Sequence, residues 1–160
     1  MDPLSEIEAL ERIALALFLG AVLGFERERK DKPAGLRTYA LVCEGAALFM
    51  IGSVLLGEQV AAAGGVHYDP SRIGSTIVQG IGFLAGGVIL ASGRQIKNLT
   101  TAAGIWVTAS VGLLVGAGFY FVAITGTIGT LLVLAGLKWS EQRFQIADSS
   151  DSEQDGDHNS

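Results

Sequence analysis

Apolar residues in this chain gather into long runs, and charge is pushed to the connections between them. Residues 73–93 are 21 positions without a charge, residues 99–137 are 39, and residues 38–57 are 20 interrupted once, by Glu44. A helix rises about 1.5 Å per residue, so a run of about 20 covers one hydrocarbon thickness of a bilayer. The 39-residue run is about twice one crossing, with Gly116 and Gly118 near its middle, which predicts two helices joined by a tight turn. Residues 13–25 are too short to span alone. Extending them back to Ile7 takes in Glu8 and Arg12, spaced i, i+4 for pairing, while Leu10, Ala14, Leu17 and Phe18 continue an apolar stripe. The pattern predicts an all-α polytopic membrane bundle of about five transmembrane helices, over residues 7–26, 38–56, 73–92, 99–116 and 119–138.

Composition agrees with lipid as the main solvent. Of 160 residues 49% are hydrophobic and 17% charged, against about 25% charged in soluble domains, and the mean hydropathy is +0.44. An ordinary water-soluble enzyme and a second large domain are both excluded. The net charge of −5 comes from five acids after Phe144; the rest balances at 11 against 11, so no basic field invites nucleic acid. Cys43, the single cysteine, reads as a small apolar residue. Acidic residues Asp2, Glu6, Glu8 and Glu11 argue against a cleavable signal peptide. The Ser/Asp/Glu-rich stretch 141–160 is expected to be a disordered cytoplasmic tail.

Lys and Arg set the orientation. Arg27, Arg29, Lys30, Lys32, Arg37, Arg94, Lys97, Lys138 and Arg143 fall on one side, and only Arg12 and Arg72 on the other. Positive residues stay inside, so the N-terminus is expected outside and the C-terminus in the cytoplasm.

Most of the 22 glycines lie within the predicted spans. In lipid, small residues let helix backbones approach, and Ala16-xxx-Gly20-xxx-Gly24, Gly82-xxx-Gly86 and Gly112-xxx-Gly116 have that spacing. Gly80, Gly82, Gly86 and Gly87 admit a second reading, a locally unwound helix that offers carbonyls to an ion.

Five motifs follow one another in order: Gly20-x3-Gly24-Phe25-Glu26-Arg27, Pro33-Ala34-Gly35-Leu36-Arg37-Thr38, Asp69-Pro70-Ser71-Arg72-Ile73, Gly80-Ile81-Gly82-Phe83-Leu84-Ala85-Gly86-Gly87, and Leu99-Thr100-Thr101-Ala102-Ala103-Gly104-Ile105-Trp106. Over residues 16–139 the chain resembles the N-terminal membrane domain of the MgtC/SapB family. The resemblance implies a multi-pass protein of a bacterial or archaeal plasma membrane, tied to magnesium limitation, virulence and, in some members, restraint of the F-type ATP synthase. Many relatives add a soluble C-terminal domain where this chain has its acidic tail. Glu44 and Asn98 depart from the family pattern, which favours an apolar residue and a glycine there.

Ionisable groups inside a membrane segment cost several kcal/mol unless paired or hydrated, so by default they mark sites. Glu26 and Arg27 end the first span, and Pro33 and Gly35 can fold the basic loop back to set Arg37 against Glu26 as an ion pair. The other reading of Arg29, Lys30 and Lys32 is a loop that sets topology and touches anionic lipid. Glu44 must be protonated, paired with Arg37 or Arg27, or turned to a polar cavity. Asp69 and Ser71 can cap the third span, or Asp69, with His67 nearby, can offer oxygen to a divalent cation. Thr100 and Thr101 can cap the fourth span or, with Asn98, face Glu26 and Arg37; Trp106 serves as interface anchor or core. No nucleophile set, phosphate loop or histidine pair suggests catalysis.

The expected function is a non-enzymatic membrane factor that binds another membrane complex in magnesium or acid stress, with Glu26, Arg27, Arg37, Thr100 and Thr101 as its polar cluster. The alternative is a small divalent-cation or proton pathway through Glu44, Asp69 and Arg72, extended to Glu26. Expected partners are the bilayer, further copies through small-residue faces, and a membrane complex; no cofactor is expected, and magnesium is the one candidate ion.

Overall fold

The computed structural model describes residues 4–65, 69, 71–90 and 97–136. These form five helices and no strand: α1 (Glu6–Glu28), α2 (Leu36–Ala62), α3 (Ser71–Leu90), α4 (Leu99–Gly116) and α5 (Tyr120–Gly136). The expected tail, His67, Pro70, Arg94, Lys138 and Arg143 lie outside the described residues.

Several helix ends have a local cause. Ser5 Oγ accepts from the Glu8 amide at 3.1 Å, and Glu6 and Glu8 complement the positive end of α1. Glu28 accepts from the Leu36 amide at 2.7 Å, so the last residue of α1 caps the start of α2. The chain leaves α1 by paired bonds from Asp31 N to Glu28 O and Lys32 N to Arg27 O, with Asp31 at φ 50°. It leaves α4 in the same way, Gly118 N to Val115 O and Phe119 N to Leu114 O, with Gly118 at φ 87°. Both are Schellman closures. The second is the tight turn expected inside the 39-residue apolar run. Asn98, ahead of α4, stands at φ 66°, a left-handed backbone that glycine adopts freely and asparagine tolerates.

Expected and observed boundaries differ most at α2, which continues six residues past 56. Glu58 in that extension accepts from the Leu4 amide at 3.0 Å and ties it to the start of α1. By length and composition three helices suffice to cross a membrane: Leu36–Ala62, Arg72–Ile89 and Leu99–Gly116. α1 carries acids and arginines at both ends, and α5 has 17 residues, about 25 Å, the low end of the spanning range. Threonines on α4 and α5 return their hydroxyls to the preceding turn, Thr108 to Gly104 O, Thr127 to Ala123 O and Thr130 to Gly126 O. None of these three hydroxyls therefore asks for water.

α2 packs closely on both α1 and α4, which also touch each other. A Cβ on Gly20 would stand 2.6 Å from Cys43 Cβ and 2.7 Å from Tyr39 O; one on Gly24 would stand 2.6 Å from Leu36 Cα. From α4, Gly112 lies against the Cys43 carbonyl, and a Cβ on Gly116 would stand 2.7 Å from Ala47 O. Cys43 is buried in the centre with Ala16, Leu19, Ala47, Val111, Val115 and Ala123.

α3 is different. It packs on α4 and touches α2 little, and most of its surface is unburied. A Cβ at Gly80, Gly82, Gly86 or Gly87 would meet nothing within 4 Å. Among the described residues these four glycines therefore make no close helix contact. Nor is the helix unwound there; α3 is continuous.

Gly112→Ala is expected to lower stability by about 1–3 kcal/mol, the usual cost of overpacking, because the methyl drives into the Cys43 carbonyl. Gly82→Ala is expected to be neutral or to add up to about 1 kcal/mol of helix propensity. Reversible unfolding in mixed micelles, read by circular dichroism, separates the two.

Candidate functional site

Two arginines on α1 reach carbonyls in the last turns of two other helices, one at each end of the bundle. Fifteen positions separate Arg12 from Arg27, about 22 Å along the helix.

At the first end Arg12 is buried. Its Nη1 donates to Gly116 O at 2.6 Å, its Nη2 to Glu8 at 2.6 Å, and its Nε to the Tyr120 hydroxyl at 3.1 Å. Gly116 is the last residue of α4, so the guanidinium satisfies a buried helix-end carbonyl that has no partner within the helix and complements the negative end of the helix. The close passage over Gly118, where a Cβ would stand 3.1 Å from Arg12 Nη2, gives that turn a steric reason for glycine besides its φ.

At the other end Glu26 holds two cations. Its Oε2 accepts from Arg27 Nε at 2.5 Å, and its Oε1 lies against the Lys30 ammonium. Both cations also point to Leu134 O in the last turn of α5, Lys30 at 3.1 Å and Arg27 at 3.4 Å. Arg27 is 3% exposed. Beside them Tyr39, fully buried with Leu23, Ala34 and Ile105, donates its hydroxyl to Thr101 O at 3.2 Å. Gly104 leaves the room for that ring, since a Cβ there would strike the Tyr39 hydroxyl. Glu26 and Arg27 of α1, Lys30 of the loop that follows and Leu134 O of α5 thus form one polar cluster, with the Tyr39 hydroxyl of α2 on Thr101 O of α4 beside it.

The expected ion pair between Glu26 and Arg37 is not formed. Glu28, not Glu26, lies over the start of α2, and the i, i+4 neighbour Lys30 takes the carboxylate. Arg37 is exposed and makes no ion pair among the described residues. Neither arginine pairs with Glu44, which is half-buried on α2 and likewise without an ion pair among the described residues. Thr100 is exposed beside a groove of about 390 Å³ between α4 and α5, and Trp106, 45% exposed, turns outward rather than into the core. Asp69 and Arg72 are exposed ahead of and at the start of α3, where the Arg72 amide donates to Asp69 O at 3.3 Å. Among the described residues no three His, Cys, Asp or Glu side chains converge as a metal site.

Sequence reasoning passed over Lys30, Tyr39 and the reach of Arg12. Tyr39 carried a signal, since a tyrosine in an apolar run needs a partner for its hydroxyl. Arg12 carried one too, as a cation inside a span that needs more than Glu8.

Residues 13–143 match the model of the MgtC family. The chain is similar to "Putative magnesium transporter YhiD" of Escherichia coli K12, 45% identical over 127 residues, 79% of this chain and 59% of that protein. It is similar to Protein SrpB of Synechococcus elongatus, 40% identical over 136 residues, 79% of this chain and 73% of that protein. With Protein MgtC of Salmonella typhimurium it shares 40% identity over 129 residues, 81% of this chain and 52% of that protein. The chain thus spans 59% of YhiD and 52% of MgtC. No solved structure matches.

Glu26→Gln is expected to cost about 3 kcal/mol, because it leaves the buried Arg27 without its counter-charge. Glu8→Gln is expected to cost about 1 kcal/mol or less, since Glu8 is half-exposed and Arg12 keeps Gly116 O and Tyr120. Unfolding in micelles at fixed pH measures both.

Proposed function

This chain belongs to the MgtC family, and from that premise we propose that it is a non-enzymatic integral membrane factor in adaptation to magnesium limitation or acid stress. It acts by binding another membrane complex such as an F-type ATP synthase. Its place is the plasma membrane of a bacterium or archaeon, with the α1–α2 loop and the C-terminus inside, on the strength of the Lys and Arg distribution. A relative named as a magnesium transporter and others named MgtC support the link to magnesium.

The observation that carries this reading is the use made of Glu26. Its carboxylate is taken up by Arg27 and Lys30, and both cations are tied to Leu134 O, so the polar cluster works as a clamp between helices. The core beside it is closed by the glycine contacts at Cys43. Among the described residues the face of α3 that carries Gly82, Phe83 and Gly86 is uncovered. Small residues on an open helix suit helix-to-helix contact in lipid, and this face is assigned to the partner complex or to a further copy.

In liposomes the purified chain is expected to give magnesium influx no greater than protein-free vesicles. Added to inverted vesicles that hold an F-type ATP synthase, it is expected to lower ATP-driven proton pumping. Gly82→Leu, which folds because nothing lies within 4 Å of that position, is expected to restore pumping. Saturable magnesium flux, or pumping unaffected by the chain, overturns the reading.

One observation favours a second reading, a cation or proton pathway. Glu44 is half-buried within the apolar α2 and has no ion pair among the described residues, a costly arrangement unless the group binds a proton or a cation. On that reading Glu44→Gln abolishes an ion or pH-gradient flux that the unaltered chain supports in the same liposomes.

A further inference from the structure

Between α2 and α3 runs an apolar groove of about 720 Å³, lined by Leu41, Gly45 and Phe49 on one side and Ile77, Gly80 and Leu84 on the other. Sites that hold organic ligands have about 300–1,000 Å³. The one hydroxyl in its wall, on Thr76, is donated to Arg72 O at 3.1 Å, so the lining offers hydrocarbon and nothing that attracts water. Glycine makes the room: a Cβ at Gly45 or Gly80 would meet nothing within 4 Å.

A charged residue lies one helical turn beyond the groove's lining on α2. Arg37 stands one turn before Leu41 on α2, and residues four apart share a helix face. It is exposed and forms no ion pair among the described residues. A guanidinium one turn beyond a hydrocarbon trough, at the level where the basic loop enters α2, is complementary to an amphiphile with an anionic head and an apolar tail. A second copy fits less well. Copies in one membrane share an orientation, so a symmetric contact through the groove brings two Arg37 side chains to the same depth, like charge toward like.

We propose that the α2–α3 groove binds an anionic phospholipid, with its phosphate on Arg37 and an acyl chain along Leu41, Gly45, Phe49, Gly80 and Leu84. The site is separate from the Glu26 clamp and from the Gly82 and Gly86 face of α3. It holds whichever complex the chain engages.

The test uses the full chain in vesicles, with Trp106→Phe and Trp139→Phe as background, Phe49→Trp as reporter and brominated lipids as quenchers. Brominated phosphatidylglycerol is expected to outcompete brominated phosphatidylcholine about fivefold, the worth of one cation at an anionic surface. Arg37→Gln is expected to bring that ratio to about one. Raising salt to 1 M, where screening shortens to about 3 Å, is expected to lower it without any substitution. Gly80→Leu fills the trough and is expected to reduce quenching by both lipids, while Gly82→Leu leaves it unchanged. A ratio of one in the background chain, a ratio that survives both Arg37→Gln and salt, or quenching indifferent to Gly80→Leu each overturns the proposal. So does weak quenching by either lipid combined with Leu41→Cys dimers under oxidant, which assigns the groove to a second copy.

Discussion

At Cys43 three helices meet with almost nothing between their backbones. Gly20 of α1 faces the Cys43 Cβ and Gly112 of α4 faces the Cys43 carbonyl. In lipid there is no hydrophobic drive to bring helices together, so attraction depends on surfaces that touch over many atoms. One methyl group at either glycine separates the helices and forfeits contacts along their whole length. The positions of α1 and α4 on α2 follow from this contact, and with them the two ends of the bundle where charged side chains can reach.

Those ends are built on one device. α1 carries Arg12 near its start and Arg27 near its finish, and each delivers a buried guanidinium to a last-turn carbonyl, Gly116 O of α4 and Leu134 O of α5. Each is balanced by a carboxylate of the same helix, Glu8 or Glu26. A buried cation is costly alone; here it is paired and also complements the negative end of a helix, worth up to about 2 kcal/mol in partly buried geometries. α1 thus acts as a strap that fixes both neighbours. The same feature accounts for a charged helix in a chain otherwise short of charge, and it underlies the reading of Glu26 as a clamp rather than a step in an ion path.

α3 follows none of these rules. It has the same glycine spacing as α1 and α4, yet those glycines contact nothing in the chain, and the side toward α2 opens into an apolar trough. Among the described residues the bundle therefore has a tightly closed part, where α1, α2 and α4 meet, and a helix, α3, most of whose surface is uncovered. The close backbone contacts thus lie among α1, α2 and α4, and α3 keeps the larger share of its surface uncovered.

The helices, their order, the turn at Gly118 and the family resemblance were legible in the sequence, because they depend on local facts: the length of an apolar run, the spacing of small residues, a glycine between two helices. Gly82-xxx-Gly86 and Gly112-xxx-Gly116 read alike along the chain, however, and only one of them is covered. The sequence reading set Arg37 against Glu26, yet Lys30 takes that carboxylate and Glu28 occupies the start of α2. Spacing along one helix specifies which residues share a face. Which face acquires a neighbour depends on how the other helices are rotated around it, and that is a property of the assembled bundle alone.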